Sequence, residues 1–329
     1  MQRLLPSPLA ALATLAGEVV CSGCLHNCGI MRQFSSSAAQ FTSHWMRIFA
    51  RAGIDAEEAK ASLNCFFSSV LGRRRALEIQ AHPDSTVSIL PSELNKLNDY
   101  CWRRAQRLPV QYILGKWSFH GIYLKMCPPV FIPRPETEGL VDIVLSHINR
   151  SENEVGHVLD IGCGTGAICL TLASRTSKVH YTAIDKSPMS VRLTEENSSQ
   201  LGLRERVSCY LAEATPNGLK CSEPDLNRSI YDAIVSNPPY IAIQESNTIE
   251  PEVLKHEDHT ALFAGFDGLD VVRSILRMSR RLLRVGGHIF LEVGLLHPPL
   301  IRAMLAAQEH SHLFKLVGCV PRFHFTATV

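Results

Sequence analysis

The segment that most restricts what this chain can fold into is Asp160-Ile161-Gly162-Cys163-Gly164-Thr165-Gly166, which closes the apolar stretch His157–Ile161 and precedes a helical run. A strand ending on several glycines can turn sharply and bring its backbone close to a ligand. The helix that follows then offers free amide N–H groups at its start. Such a unit belongs to a parallel sheet with crossover helices, and the downstream sequence supplies the other parts. Strand-like runs are expected at Val179–Ile184, Val207–Leu211, Tyr231–Ser236, His288–Val293 and Phe314–Val320. Helical runs alternate with them, including one opened by Ser187-Pro188 and one over Leu269–Leu283. The alternation predicts an α/β fold with a doubly wound, mostly parallel sheet.

The glycine loop alone leaves its ligand open. Gly162-x-Gly164-x-x-Ala167 also satisfies the dinucleotide fingerprint, and Asp185 follows at about the ~20-residue spacing of a ribose-binding acid. Asp160 tips the reading toward S-adenosylmethionine. A carboxylate just before the first glycine can pair with the amino group of a methionine moiety, whereas it would repel a pyrophosphate. Candidate cofactor residues are therefore Asp160, Gly162, Cys163, Gly164, Thr165, Gly166 and Asp185, together with Asn237 of the next motif.

Asn237-Pro238-Pro239-Tyr240 follows the fourth strand, at the carboxyl edge where doubly wound sheets bind ligands. Neither proline has an N–H, so the turn offers acceptors: the Asn237 side-chain oxygen and the Pro238 carbonyl. An NH2 group with two hydrogens matches that pair, and Tyr240 supplies a face on which a planar group can stack. Methyl transfer at such a nitrogen needs no strong base, because positioning and dipole alignment do most of the work.

Upstream, Phe41 to about Arg107 is patterned as helices. Asp55 is placed to cap a helix through Ala59, Leu63, Phe66, Phe67 and Val70 that Gly72 ends, and Ser92 to cap another through Leu94, Leu97 and Tyr100. Arg73-Arg74-Arg75 reads as a solvated turn or a partner contact. Leu108–Pro135 holds five prolines and two glycines among apolar residues, which predicts a hairpin-like connector. Pro135, Glu136 and Glu138 then suit the start of a further helix. The expected domains are residues 1–40, 41–107, 108–134 and 135–329.

Residues 1–40 carry one acid, Glu18, with Arg3, Arg32 and a serine run at Ser35–Ser37. That composition describes an organellar transit peptide, and mitochondrial import to the matrix is favoured over a secretory h-region at Leu4–Val20, which Pro6 and Pro8 interrupt. The cluster Cys21-x-x-Cys24-x-His26-x-Cys28 lacks a second pair at zinc-finger spacing and lies in the segment expected to be removed, so no metal site is expected from it. His256, Glu257, Asp258 and His259 read as solvated loop rather than as metal ligands. The eleven cysteines of the chain are scattered, several in apolar runs, as in a reducing compartment. A net charge of +2 gives no broad basic field for nucleic acid. No membrane span is expected, and the chain reads as a monomer.

Three further stretches resemble a known family. Arg107-x-Pro109-Val110-Gln111-Tyr112-Ile113-x-Gly115, Phe119-x-Gly121 and Phe131-Ile132-Pro133-Arg134-Pro135-Glu136-Thr137-Glu138 look like the connector of HemK-type protein glutamine N5-methyltransferases. Gly53-Ile54-Asp55-Ala56-Glu57-Glu58-Ala59 is similar to their N-terminal helix. The resemblance runs from about Phe41 to the C-terminus. It implies a Rossmann-like class I methyltransferase with a small helical domain for the protein substrate, and S-adenosylmethionine as cofactor. It implies as substrate the glutamine of the Gly-Gly-Gln loop of a peptide-chain release factor, a mitochondrial one given the N-terminal segment. By the same resemblance Glu213 and Ala214 line the adenine, Ala214 as a poor packing partner, and Asn237 to Tyr240 hold the substrate. Arg134 is left between lining the cofactor and holding the connector by an ion pair. After Val320 the sequence departs from the family, and Pro321-Arg322-Phe323 predicts a shortened or misregistered last antiparallel strand. Two other readings stay open: a nucleic-acid adenine N6-methyltransferase, and a non-catalytic Rossmann-fold binding protein.

Overall fold

The structure, a computed structural model, describes residues 37–82, 87–150, 155–306, 315–320 and 324–328, the last two segments by their backbone. Most of the expected transit segment and its Cys/His cluster lie outside the described residues. The chain divides into two compact units, one ending at Cys101 and one beginning at Trp102.

The first unit is helical: α1 (Ala38–Arg51), α2 (Ala56–Leu71), α3 (Arg73–Ala81) and the start of α4 (Pro91–Ala105). Phe41, Trp45 and Phe49 recur every four residues on α1, so they share one face, and all three are buried. Phe66, Phe67 and Leu63 of α2 complete this core. The Trp45 indole N–H finds a buried acceptor in Asn98 Oδ1 at 3.0 Å, which removes the penalty of hiding that donor. Asp55 caps α2 by accepting from the backbone N–H groups of Glu57 and Glu58. Two expectations are corrected here. Arg73-Arg74-Arg75 is not a turn: it opens α3, and Arg75 makes a two-pronged ion pair with Glu93 at 2.7 and 3.1 Å. Helix α4 starts at Pro91 rather than after a Ser92 cap, and Glu93 Oε2 takes the free Leu90 N–H.

After the last turn of α4 the second unit continues with a short helix, α5 (Val110–Leu114), inside the stretch expected to be hairpin alone; Gly115 in the left-handed region ends it. Strands β1 (Lys116–Phe119) and β2 (Ile122–Lys125) then pair as an antiparallel hairpin. A proline-rich segment leads to α6 (Glu136–Arg150).

From there strands and helices alternate: β3 (His157–Ile161), α7 (Ala167–Arg175), β4 (His180–Asp185), α8 (Pro188–Gln200), β5 (Val207–Thr215), β6 (Gly218–Cys221) and β7 (Tyr231–Ser236). The chain continues through α9 (Pro251–His256), α10 (Asp270–Leu282), β8 (Leu283–Glu292), α11 (His297–Ala306), β9 (Lys315–Val320) and β10 (His324–Thr328). The sheet order is β6-β5-β4-β3-β7-β8-β10-β9. Strands β3, β4, β5, β7 and β8 are mutually parallel, and β6, β9 and β10 add antiparallel edges. Strand β5 runs four residues past its expected end because its last residues pair with β6. The tail closes the sheet after all: β10 pairs with β8 from His324↔Glu292 to Thr328↔His288, and the register shift falls between β10 and β9, at Thr326/Ala327.

Both faces of the sheet are covered, which is why its central strands read as unbroken apolar runs rather than as alternating ones. Val158, Ala233 and Val235 face one cluster with Leu140, Val141 and Val144 of α6. Their neighbours Leu159 and Ile234 face the other, with Val272, Ile275 and Leu276 of α10. Each such large side chain contributes about 1.5–3 kcal/mol on burial, so the two clusters hold the strand ends rigidly enough to carry a site.

Candidate active site

Register places the functional loops. Ile161 is level with Ile184 on one side and with Ser236 on the other, and Ser236 is level with Leu291. Gly162, Asp185, Asn237 and Glu292 are therefore the next residues on four adjacent parallel strands. Strand order reverses about β3, so the loop after β3 and the loop after β7 border the crevice where such sheets bind ligands. A cavity of about 140 Å³ lies there, lined by Gly162 to Thr165, Asp185, Glu213, Ala214 and Asn237 to Pro239, with Phe131, Pro133 and Thr137 on the connector side.

The glycine loop is held from below. Gly162 and Cys163 donate their N–H groups to Ile184 O at 2.8 and 3.0 Å, and Thr194 Oγ1 of α8 donates to Gly164 O at 3.1 Å. Gly166 has φ +81° and no room for a side chain, since a Cβ would meet Leu170 Cδ1 at 2.6 Å. Asp160 does not line the cavity. It sits wholly buried behind the loop, with Oδ2 accepting from Cys169 N at 3.2 Å and Oδ1 without a hydrogen-bond partner. Burial pushes its pKa up to about 7.

Asp185 ends β4, and each of its oxygens takes one loop amide, Gly164 N at 3.0 Å and Ser187 N at 2.8 Å. A carboxylate has about four lone-pair positions, so both oxygens keep acceptor capacity toward the cavity. Burial raises its pKa above the usual carboxylate range. Glu213 and Ala214 lie on the β5 extension: Glu213 is half exposed, with Lys220 Nζ at 3.5 Å, and Ala214 presents only a methyl group.

On the other side of the crevice, Asn237 donates its side-chain nitrogen to Thr137 Oγ1 at 3.0 Å. The amide is thereby orientated, with its donor end on α6 and its oxygen free. Pro238 and Pro239 line the cavity. Tyr240 is not in the lining; its hydroxyl donates to Glu292 Oε1 at 3.5 Å, and burial with the neighbouring Glu292 raises its pKa to about 12.

The connector is fastened by an acid expected, from its sequence neighbours, to lie in solvent. Glu257 is buried, accepting from Ile132 N at 3.2 Å and pairing with Arg134 Nη2 at 2.8 Å. Arg134, which also packs on the Phe131 ring, thus holds the connector by an ion pair. Only the folded chain brings these residues together, because the acid lies far downstream of the segment it clamps. Among the described residues no group of His, Cys, Asp or Glu is arranged to hold a metal ion. Sequence reasoning also missed Thr137 and Glu292 as members of the site. The signals were there in Thr137 within the motif Phe131–Glu138, and in a lone acid ending the apolar strand beside β7.

Comparison with known proteins accords with this geometry. A model of the PrmC N-terminal domain matches residues 40–115, and one of the methyltransferase small domain matches residues 140–264. The human MTRF1L release factor glutamine methyltransferase is 38% identical over 283 residues, which is 84% of this chain and 82% of that protein. The chain belongs to the release factor glutamine methyltransferase family. Two bacterial release factor glutamine methyltransferases are similar at 33% (Caulobacter vibrioides) and 34% identity (Deinococcus radiodurans). Each match covers 78% of this chain, and 83% and 85% of those proteins. As a release factor glutamine methyltransferase family member, the chain is an S-adenosylmethionine-dependent protein-glutamine methyltransferase with a Rossmann-like fold.

The site's residues fit that cofactor. Asp160 keeps a buried, unpartnered carboxylate oxygen behind the glycine loop, an arrangement that a positively charged amino group would relieve. Gly162 and Gly164 leave open space where side chains would intrude. Asp185 has the free acceptor positions that ribose hydroxyls require.

Proposed function

We propose that this protein methylates the side-chain nitrogen of the glutamine in the Gly-Gly-Gln loop of a mitochondrial peptide-chain release factor. The observation that carries the reading is the orientation of Asn237. With its nitrogen committed to Thr137, only its oxygen is left to accept from an incoming NH2 group. The Pro238 carbonyl is the second acceptor of the pair. Two acceptors for two hydrogens leave the nitrogen lone pair directed away from both, toward the cofactor cavity.

S-adenosylmethionine supplies a methyl group on a sulfonium, an electrophile that needs no further activation. The protein's part is positioning. Asp185 and the loop Gly162 to Gly166 hold the cofactor, with Asp160 charge-matched to its amino group and Glu213-Ala214 beside its base. Tyr240, outside the cavity wall with its hydroxyl on Glu292, offers its ring to the planar amide, and the proton leaves after transfer. The N-terminal helices serve recognition of the protein substrate, residues 108–134 join them to the catalytic domain, and the chain acts as a monomer.

Family membership favours a release factor over nucleic acid, and the near-neutral charge agrees. The mitochondrial assignment rests on the acid-poor, serine- and arginine-bearing residues 1–40. Incubation with labelled cofactor and either a release factor or RNA and DNA tests the reading. Label in the release factor is expected, and label only in nucleic acid would refute it. Fluorescent tagging of the full chain tests the location: mitochondrial signal is expected, and a purely cytosolic one contradicts it.

A further inference from the structure

The acceptor loop is held by a buried carboxylate that does not itself line the cavity. Glu292 ends β8, the neighbour of strand β7 that Asn237 follows, and is 1% exposed. Around it gather the Thr137 hydroxyl, the Tyr240 hydroxyl and the Asn237 amide, each of which favours its ionised form. Tyr240 lies within hydrogen-bond reach at 3.5 Å, while Glu292 Oε2 has no hydrogen-bond partner. Glu136 is the charged neighbour from α6, and His324 occupies the register position opposite on β10.

We propose that Glu292 is the positioning residue of the Asn237-Pro238-Pro239-Tyr240 loop, drawing the donor ends of Thr137, Asn237 and Tyr240 toward itself so that Asn237 presents its oxygen to the substrate. The reasoning is one of hydrogen-bond direction. An ionised carboxylate only accepts, so every hydrogen near it turns inward. Thr137 Oγ1, with its hydrogen so directed, is left to accept from Asn237 Nδ2, as observed. An amide turned the other way would bring two hydrogens against the substrate NH2 and lose the acceptor on which transfer depends. Burial makes this orientation strict, since a polar group left unmatched there loses its water without gaining a partner. Protonated Glu292 would carry a hydrogen of its own and could donate to Thr137, releasing the chain of directions. Burial raises its pKa to about 7, so the two states exchange around neutral pH.

The inference rests on the proposed role of Asn237, and the test separates the two. Full-length protein is assayed with a release factor bearing a Gly-Gly-Gln loop, following kcat against pH, KM for the factor, and cofactor binding by calorimetry. Wild type should show an acid limb in kcat near pH 7. Glu292→Gln should lose that limb, with kcat at pH 8 reduced roughly tenfold and cofactor affinity within about threefold. Glu292→Asp, which keeps the charge, should retain the limb. A Glu292→Gln variant with wild-type kcat, or with the limb still present, overturns the proposal. If Glu292→Gln does not fold, Thr137 decides: Thr137→Ser should exceed Thr137→Val in kcat by roughly tenfold, and equal values overturn it. Asn237→Ala is the control. If it too turns over normally, the reading of the acceptor site has failed. If it is inactive while the Glu292 and Thr137 variants are unaffected, only this inference has failed.

Discussion

Asn237 Nδ2 lies 3.0 Å from Thr137 Oγ1, a hydrogen bond that spans 100 positions of sequence and fixes which end of the Asn237 amide is turned toward α6. It joins the motif after β7 to the first turn of α6, the helix that follows the proline-rich connector.

Replacing Asn237 by alanine removes one of two acceptors without disturbing the cofactor side of the crevice. Turnover should fall by about two orders of magnitude or more, with cofactor affinity within a few-fold of wild type. Single-turnover kinetics with parallel calorimetry measure both. A near-wild-type rate would show that Asn237 has no part in orienting the amide.

The two buried carboxyls give stability a pH dependence whose sign follows from their raised proton affinity. Asp160 and Glu292 both have folded pKa values raised to about 7, well above ordinary carboxyls. The folded state therefore binds protons that the unfolded chain releases near pH 4. The resulting contribution is full below that pH and is lost as pH rises through 7. A tenfold gain in proton affinity corresponds to about 1.4 kcal/mol, which makes the contribution of each group on the order of 3–4 kcal/mol. Without cofactor, urea midpoints should fall between pH 5 and pH 8, and Asp160→Asn should flatten the change. Identical slopes for wild type and Asp160→Asn would contradict the assignment. Saturating S-adenosylmethionine should also flatten it, by placing a positive charge beside Asp160.

Gly166→Ala and Gly164→Ala should fail differently. At Gly166 a Cβ would come within 2.6 Å of Leu170 at φ +81°, so overpacking and backbone strain combine to destabilise by about 1–3 kcal/mol. At Gly164, φ +57°, a Cβ meets nothing within 4 Å, and the backbone penalty is about 1 kcal/mol. That methyl group would face the space set aside for the cofactor, so its main effect should be weaker binding. Thermal melts and cofactor titrations of the two variants distinguish these outcomes; equal melting temperatures would remove the packing argument for Gly166.

Glu257→Gln tests the connector clamp. Leaving Arg134 without its buried partner should destabilise the fold by a few kcal/mol, moderated because Arg134 is 31% exposed. Chemical denaturation measures it, and an unchanged midpoint would mean the connector is held by packing alone.

Much of the fold is legible in the sequence where a local pattern has a local cause. Asp55 caps its helix, Asp185 ends its strand, and the apolar runs at His157–Ile161 and Tyr231–Ser236 are strands with those bounds. What cannot be read there depends on distant partners. Glu257 looks like surface until Arg134 and the Ile132 amide arrive from more than a hundred residues upstream. Glu292 looks like an ordinary strand end until the Tyr240 hydroxyl, from the loop after β7, meets it. The Arg73–Arg75 run misleads because Gly72 ends one helix and begins the next, and charge patterning alone does not distinguish a break from a stop.

The most direct test of the central claim is the mass of the Gly-Gly-Gln tryptic peptide from a mitochondrial release factor, after incubation with S-adenosylmethionine and the protein. The account predicts a gain of one methyl group, localised to the glutamine by fragmentation and absent with Asn237→Ala. An unmodified glutamine in the presence of folded, cofactor-binding protein would contradict it.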